Sequence, residues 1–223
     1  MRLASILLLA VLLAACGPTR EQIAERTQKY TELYSLAERN ARTCLDGVKT
    51  PETGYFDLKE QFILHTDNSN ELYKKIYSNY ISEQNVQDYR KYRKALQVCV
   101  DQMLKDYGTI DYRYANNLAE KRARSDKNLL QALNREITVG DRNSFLVHLY
   151  QLYDEDKTEI GHDILQEFGS LSDDELRRHR EVAKQLFEST EEYQSANLVE
   201  KKLQEMEQAQ QRAKKSPEVV QAN

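Results

Sequence analysis

An all-α fold, a single bundle of five to seven helices with a long C-terminal helix, is what this sequence predicts, and three observations predict it. Only 7 Gly and 3 Pro punctuate 223 residues. That is too few for an all-β chain, which needs turn residues about every 8 to 12 positions, or for βαβ units with Gly-rich loops. Apolar residues recur in alternating steps of three and four, the period of a helix face. Helix-start signals stand directly before several of those stripes. A composition of 40% hydrophobic and 30% charged residues excludes collagenous, low-complexity and polytopic membrane chains.

The first element is an address. After Met1-Arg2, residues Leu3 to Ala15 are apolar except for Ser5. The run is too short to cross about 30 Å of hydrocarbon but fits the central region of a secretory signal peptide. It ends Leu13-Ala14-Ala15-Cys16-Gly17, which resembles the lipobox of bacterial lipoproteins. The resemblance covers only these first 17 positions. It implies removal of residues 1–15, acylation of Cys16 as the lipid anchor, and residues 16–22 as a tether. Gly17 stands where Asp would retain such a protein at the inner membrane, so the resemblance implies the outer membrane. A thiolate is the nucleophile that acquires the lipid, and several acyl chains make an effectively permanent anchor.

Loss of Arg2 with the leader would leave 31 Lys and Arg against 36 Asp and Glu, a net charge of −5. A mildly acidic, mixed surface argues against nucleic acid as the main partner. With Cys16 acylated, Cys44 and Cys99 remain in a compartment where disulfides persist.

The helical domain is expected over 23–215, followed by a disordered tail at 216–223. Ile23, Thr27, Tyr30, Tyr34, Ala37, Ala41 and Cys44 make the first stripe, stopped by Gly47 and Pro51. Asp57 and Glu60 have capping-box spacing for a short helix ending near Thr66. Asp67 to Asn70 then opens a second Tyr-rich helix with Leu72, Tyr73, Ile76, Tyr77 and Tyr80. The next stripe runs Tyr89, Tyr92, Leu96, Cys99 and Met103, with Gly108 at its end.

Residues 111–139 are helical in propensity, but 120–128 lack an apolar face, so an exposed helix or a break near Ser125 is expected, with Gly140 as terminus. Phe145 to Tyr153 and Ile160 to Phe168 form two further clusters, closed by Gly169. Ser172 and Glu175 make a capping box, with Leu171 and Leu176 as its hydrophobic staple. The helix they start should run about 40 residues to Lys214 and Lys215, its stripe passing Leu176, His179, Ala183, Leu186, Thr190 and Tyr193. It thins to Leu203, Met206 and Ala213, which points to a solvated or partner-dependent end over 195–215.

No assembled chemistry is legible. Glu159-Ile-Gly-His162 has the Glu-x-x-His spacing of di-iron bundles, but that chemistry needs two such motifs, and His65, His148 and His179 lack the Glu. Glu188-Ser189 matches two letters of lytic transglycosylases without their flanking segments. Nucleophile elbows, phosphate loops and metal-binding Cys clusters are missing. Tyr89-Arg-Lys-Tyr92-Arg-Lys94 interleaves aromatic and basic residues; on a helix the tyrosines join the buried stripe while Arg90, Lys91 and Lys94 point outward. The 14 Tyr suit either a thin core or a protein interface.

Cys44 and Cys99 both lie on apolar stripes and are expected to form a disulfide, two buried free thiols being the alternative. No catalytic residues, cofactor or metal are expected. Two functions compete: a non-enzymatic interaction or accessory protein of an envelope assembly, held at the membrane by its lipid and binding a protein partner, or an envelope enzyme or ligand-binding module whose site is assembled from distant residues. A flat Tyr-rich surface would favour the first and a deep polar pocket the second.

Overall fold

Thr19 opens the first helix: its side chain accepts from the Gln22 backbone N–H at 3.2 Å, and the Gln22 side chain accepts from the Thr19 N–H at 2.8 Å. This reciprocal cap satisfies two of the donors that a helix start leaves unpaired. In the computed structural model, which describes residues 17–64, 74, 76–189 and 192–215, the helix α1 spans Arg20–Gly47. The residues expected as a tether are therefore partly helical, beginning at Arg20. The leader 1–15, Cys16 and the tail 216–223 lie outside the described residues.

After a 3-10 turn at Pro51–Thr53, the short helix α2 covers Tyr55–Lys59. It starts from Gly54 rather than Asp57 and stops well before Thr66. Gly54 has φ +75° and lies so close to the next long helix that a Cβ would stand 2.8 Å from Asp88 Cβ. Of the Tyr-rich helix expected after Asn70, Lys74 and Ile76 have 3-10 conformation, while Tyr77 to Tyr80 are not helical. Their carbonyls have other work, because Tyr77 and Asn79 accept from the backbone N–H groups of Gly140 and Val139 at 2.8 and 2.9 Å. Residues 65–73, including Leu72 and Tyr73, lie outside the described residues.

Helix α3 (Glu83–Ile110) starts on a Ser82–Asn85 capping box and runs through Gly108. Asp111 ends it in extended conformation and simultaneously caps α4 (Tyr112–Leu133), accepting from the Arg113 N–H at 2.9 Å. No break occurs at Ser125; one side of the charged stretch is turned inward, with Asp126 1% exposed, while Glu120, Arg124 and Lys127 face out. Leu133 is the last residue of α4, and Gly140 lies inside the next helix, α5 (Val139–Ser170), which fuses the two expected clusters.

Helices α6 (Asp173–Ser189) and α7 (Glu192–Lys215) cover the stretch expected as one 40-residue helix, and residues 190–191 between them lie outside the described residues. Thr190 and the side chains of Tyr193 and Ala213 lie outside the described residues. Ser172 does cap α6, its N–H and hydroxyl both donating to Glu175 at 2.8 and 2.7 Å. Arg26 of α1 seals the preceding turn, donating to the carbonyls of Phe168 and Leu171 at 3.0 and 2.9 Å.

The seven helices of the described residues form an all-α bundle with α4 at its centre, packed against α3, α5, α6 and α7, while α1 packs on α3 and α5. Many of the tyrosines are structural: Tyr55, Tyr89, Tyr92, Tyr107, Tyr114 and Tyr153 are buried. Val199 and Leu203 are 0% exposed, so the thin stripe of the last helix is core, and 195–215 is not the free docking segment expected. No described helix is long and apolar enough to cross a membrane.

Candidate functional site

One face of α3 carries Tyr89, Arg93, Leu96, Val100, Met103 and Tyr107, in steps of three and four. It does not close on its neighbours. Between α1, α3, α4 and α5 lies a cavity of about 600 Å³, with Ile63 and Leu64 at one end. The segment bearing those two residues is strapped to α5 by Asn143, which is 0% exposed. Asn143 Oδ1 accepts from the Ile63 N–H at 2.9 Å, and Nδ2 donates to the carbonyls of Gln61 and Lys74, each at 2.8 Å.

The lining is basic although the protein is acidic: seven Lys and Arg face it against Glu38, Asp46 and Asp154. At one end the charges are satisfied among themselves. Tyr107 donates to Glu38 Oε1 at 2.5 Å, Lys157 donates to the same oxygen, and Lys157 also donates to the Tyr107 hydroxyl at 3.1 Å. Burial opposes the Glu38 charge, yet the bonds from Lys157 and Tyr107 outweigh it and hold the carboxyl below its usual range. Burial, then Tyr153 and Glu38, push the Tyr107 hydroxyl far above the ordinary phenol range.

At the middle and far end the balance fails. Arg93 binds Asp126 through both terminal nitrogens, and Arg122 Nε lies 3.5 Å from the same carboxylate. Arg122 Nε is buried without a hydrogen-bond partner. Burial, and Arg93 next, lower the proton affinity of Arg122. Arg142 is 5% exposed and donates only to neutral groups, the Tyr89 hydroxyl and Asn128 Oδ1, each at 3.2 Å. Lys121 Nζ lies 4.5 and 3.9 Å from the ring centroids of Tyr150 and Tyr153. Among the described residues no carboxylate comes within 4.0 Å of Lys121 or Arg142. Burial therefore pulls the Lys121 ammonium down to about 8, Asp154 opposing and Lys157 reinforcing the shift. Of these four largely buried cations, Arg93 and Arg122 share the one carboxylate of Asp126, while Lys121 and Arg142 contact none. Ring faces and hydroxyls soften that cost, but unpaired buried charge remains expensive.

Of the residues singled out in the sequence, Cys44 and Cys99 form a disulfide with Cα atoms 5.6 Å apart, joining α1 to α3 beside the cavity. Glu159 and His162 are exposed on α5. Gly161 between them has a packing reason: a Cβ there would stand 2.9 Å from the Tyr114 hydroxyl and 3.0 Å from that of Tyr30. Glu188 is exposed and faces Lys184 at 3.9 Å. Within Tyr89–Lys94 the tyrosines turn inward as expected, but so does Arg93, while Arg90 is only half-buried and pairs with Glu200 and Glu207 of α7.

Sequence reasoning missed Lys121, Arg122 and Arg142. The signal was the missing apolar face at 120–128: a helix at the centre of a bundle whose inner face is charged must bury that charge. No protein-family model, curated protein or solved structure matches this chain.

Proposed function

We propose that this is a lipid-anchored envelope protein whose helical bundle binds an anionic ligand in the cavity between α1, α3, α4 and α5. One observation carries the reading: Arg93, Lys121, Arg122 and Arg142 line the cavity, and the buried Asp126 pairs with only Arg93 and Arg122 among them. A bound anion supplies the missing negative charge and bonds to donors already desolvated, as in charge-assisted sites generally. The volume of about 600 Å³ falls among small-ligand sites. Binding rather than turnover fits the acids present, since Asp126 is held by guanidinium groups and Glu38 by Lys157 and Tyr107. The anchor at Cys16, supported by the Leu13-Ala14-Ala15-Cys16 pattern, would hold this site at the membrane surface.

Thermal melts of the intact protein against a panel of phosphates, carboxylates and sulfonates test the reading. An anion at about 100 times its dissociation constant should stabilise by about 2.7 kcal/mol, or roughly 5–10 °C. The reading fails if none shifts the melt, or if the shift survives unchanged in Arg142→Met. Mass spectrometry of the N-terminal peptide tests the address: an unmodified Cys16 removes it.

A further inference from the structure

The cavity has two chemically different walls at one level of the bundle. Arg122 Nη2 donates to Gln97 at 3.4 Å, which sets Arg122 opposite residues 96–100 of α3. There Leu96 and Val100 face the cavity, and the Cys44–Cys99 bond brings Leu45 of α1 to the same level. Lys121, next to Arg122 on α4, points its ammonium at Tyr150 and Tyr153 across the same space. Lys121, which no carboxylate of the described residues contacts within 4.0 Å, and Arg122, whose Nε lacks a hydrogen-bond partner although Asp126 lies 3.5 Å away, therefore share the cavity lining with three aliphatic side chains.

From this juxtaposition we infer that the ligand is an anionic amphiphile, its phosphate or carboxylate head taken by Lys121 and Arg122 and its hydrocarbon body lying on Leu45, Leu96 and Val100. The inference rests on the anion reading above and narrows it. A small hydrophilic anion would leave the aliphatic wall wet, forfeiting its burial, at about 0.8 kcal/mol for each methylene not covered. A neutral hydrocarbon would strip water from two cations without replacing it. Only a molecule with both ends meets both walls. The depressed proton affinity of Lys121 agrees, because its largest cause is the ammonium's burial, which Asp154 offsets only in part.

Calorimetric titration of the intact protein with decyl phosphate, decanoate, 1-decanol and inorganic phosphate, below any micelle concentration, decides it. Decyl phosphate or decanoate should bind at least about tenfold tighter than inorganic phosphate and decanol, and comparing the two identifies the head. In the series from butyl to decyl phosphate, affinity should climb by up to about fourfold per methylene until the wall is covered. Lys121→Met should weaken the alkyl anions about tenfold or more while leaving decanol unchanged, and Lys121→Arg should restore them. The alkyl series uses the unaltered protein, so it stands even if a variant folds poorly. Inorganic phosphate binding as tightly as decyl phosphate overturns the amphiphile and leaves the anion reading standing. Decanol binding as tightly overturns both. An alkyl-anion affinity unaffected by Lys121→Met overturns the placement of the head.

Discussion

Lys121 is the residue whose environment differs most from what its letter suggests. Its stem is buried, its ammonium rests on two tyrosine rings, and burial brings it down to about 8. The unfolded chain holds that proton up to about pH 10.4, so between those values the unfolded state binds more protons and stability rises with pH. Above about pH 10 the trend reverses, because Tyr107, Tyr114 and Tyr153 are raised in the fold and keep protons that unfolded tyrosine loses. Without ligand, denaturant unfolding should therefore show a gain of about 1 kcal/mol from pH 7 to pH 9. Lys121→Met should flatten it. An unchanged slope in that variant would mean the ammonium is solvated in the native protein. In the sequence Lys121 is one of many lysines on a polar stretch, and nothing local marks it as buried.

At the scale of elements, helix ends were the least legible feature. Helix α4 closes with Arg135 in the left-handed region at φ +61°, its N–H bonded to the Ala132 carbonyl and the Glu136 N–H to that of Gln131. This is a Schellman closure, whose left-handed position usually holds Gly. The expectation of a stop at Gly140 followed that preference, whereas Gly140 instead takes the Tyr77 carbonyl inside α5. Because Arg135 carries the strain of a Cβ at positive φ, Arg135→Gly should stabilise the protein by about 0.5–1 kcal/mol in chemical denaturation. A loss of stability would show that the arginine side chain outweighs the strain. The Cys44–Cys99 staple was legible, because two thiols on apolar stripes of different helices suffice to suggest it. Replacing both by Ala should cost about 4 kcal/mol for a sequence separation of 55, read from denaturant midpoints. Since α1 and α3 are two of the cavity walls, the same variant should bind its ligand more weakly even where it is fully folded.

For the whole molecule, the last helix decides how far the core extends. Val199 and Leu203 are fully buried against the bundle, and Arg90 of α3 pairs with Glu200 and Glu207 across that contact. Deleting 195–223 removes two apolar anchors worth about 2 kcal/mol each. The truncated protein should melt cooperatively at a temperature lower by about 10 °C or more in circular dichroism, or fail to fold. An unchanged melt would return the segment to the role its thin stripe suggested, a free docking helix. The same packing takes 195–215 out of consideration as the partner-holding segment and leaves the interior cavity as the better-supported site.

By itself the sequence determined the helical class, the start of α6 and the disulfide. Each of these is written in residues a few positions apart, or in a pair of thiols that both lie on apolar stripes. The tertiary structure alone decided where Tyr77 to Tyr80 go, that Lys121, Arg122 and Asp126 turn inward, and that Arg93, Lys121, Arg122 and Arg142 line one cavity. Helical period tells which residues share a face, but not which face the bundle buries. When a polar face is the buried one, its charges are compensated by groups from other helices, here from α3, α4 and α5, and those meet only once the chain has folded.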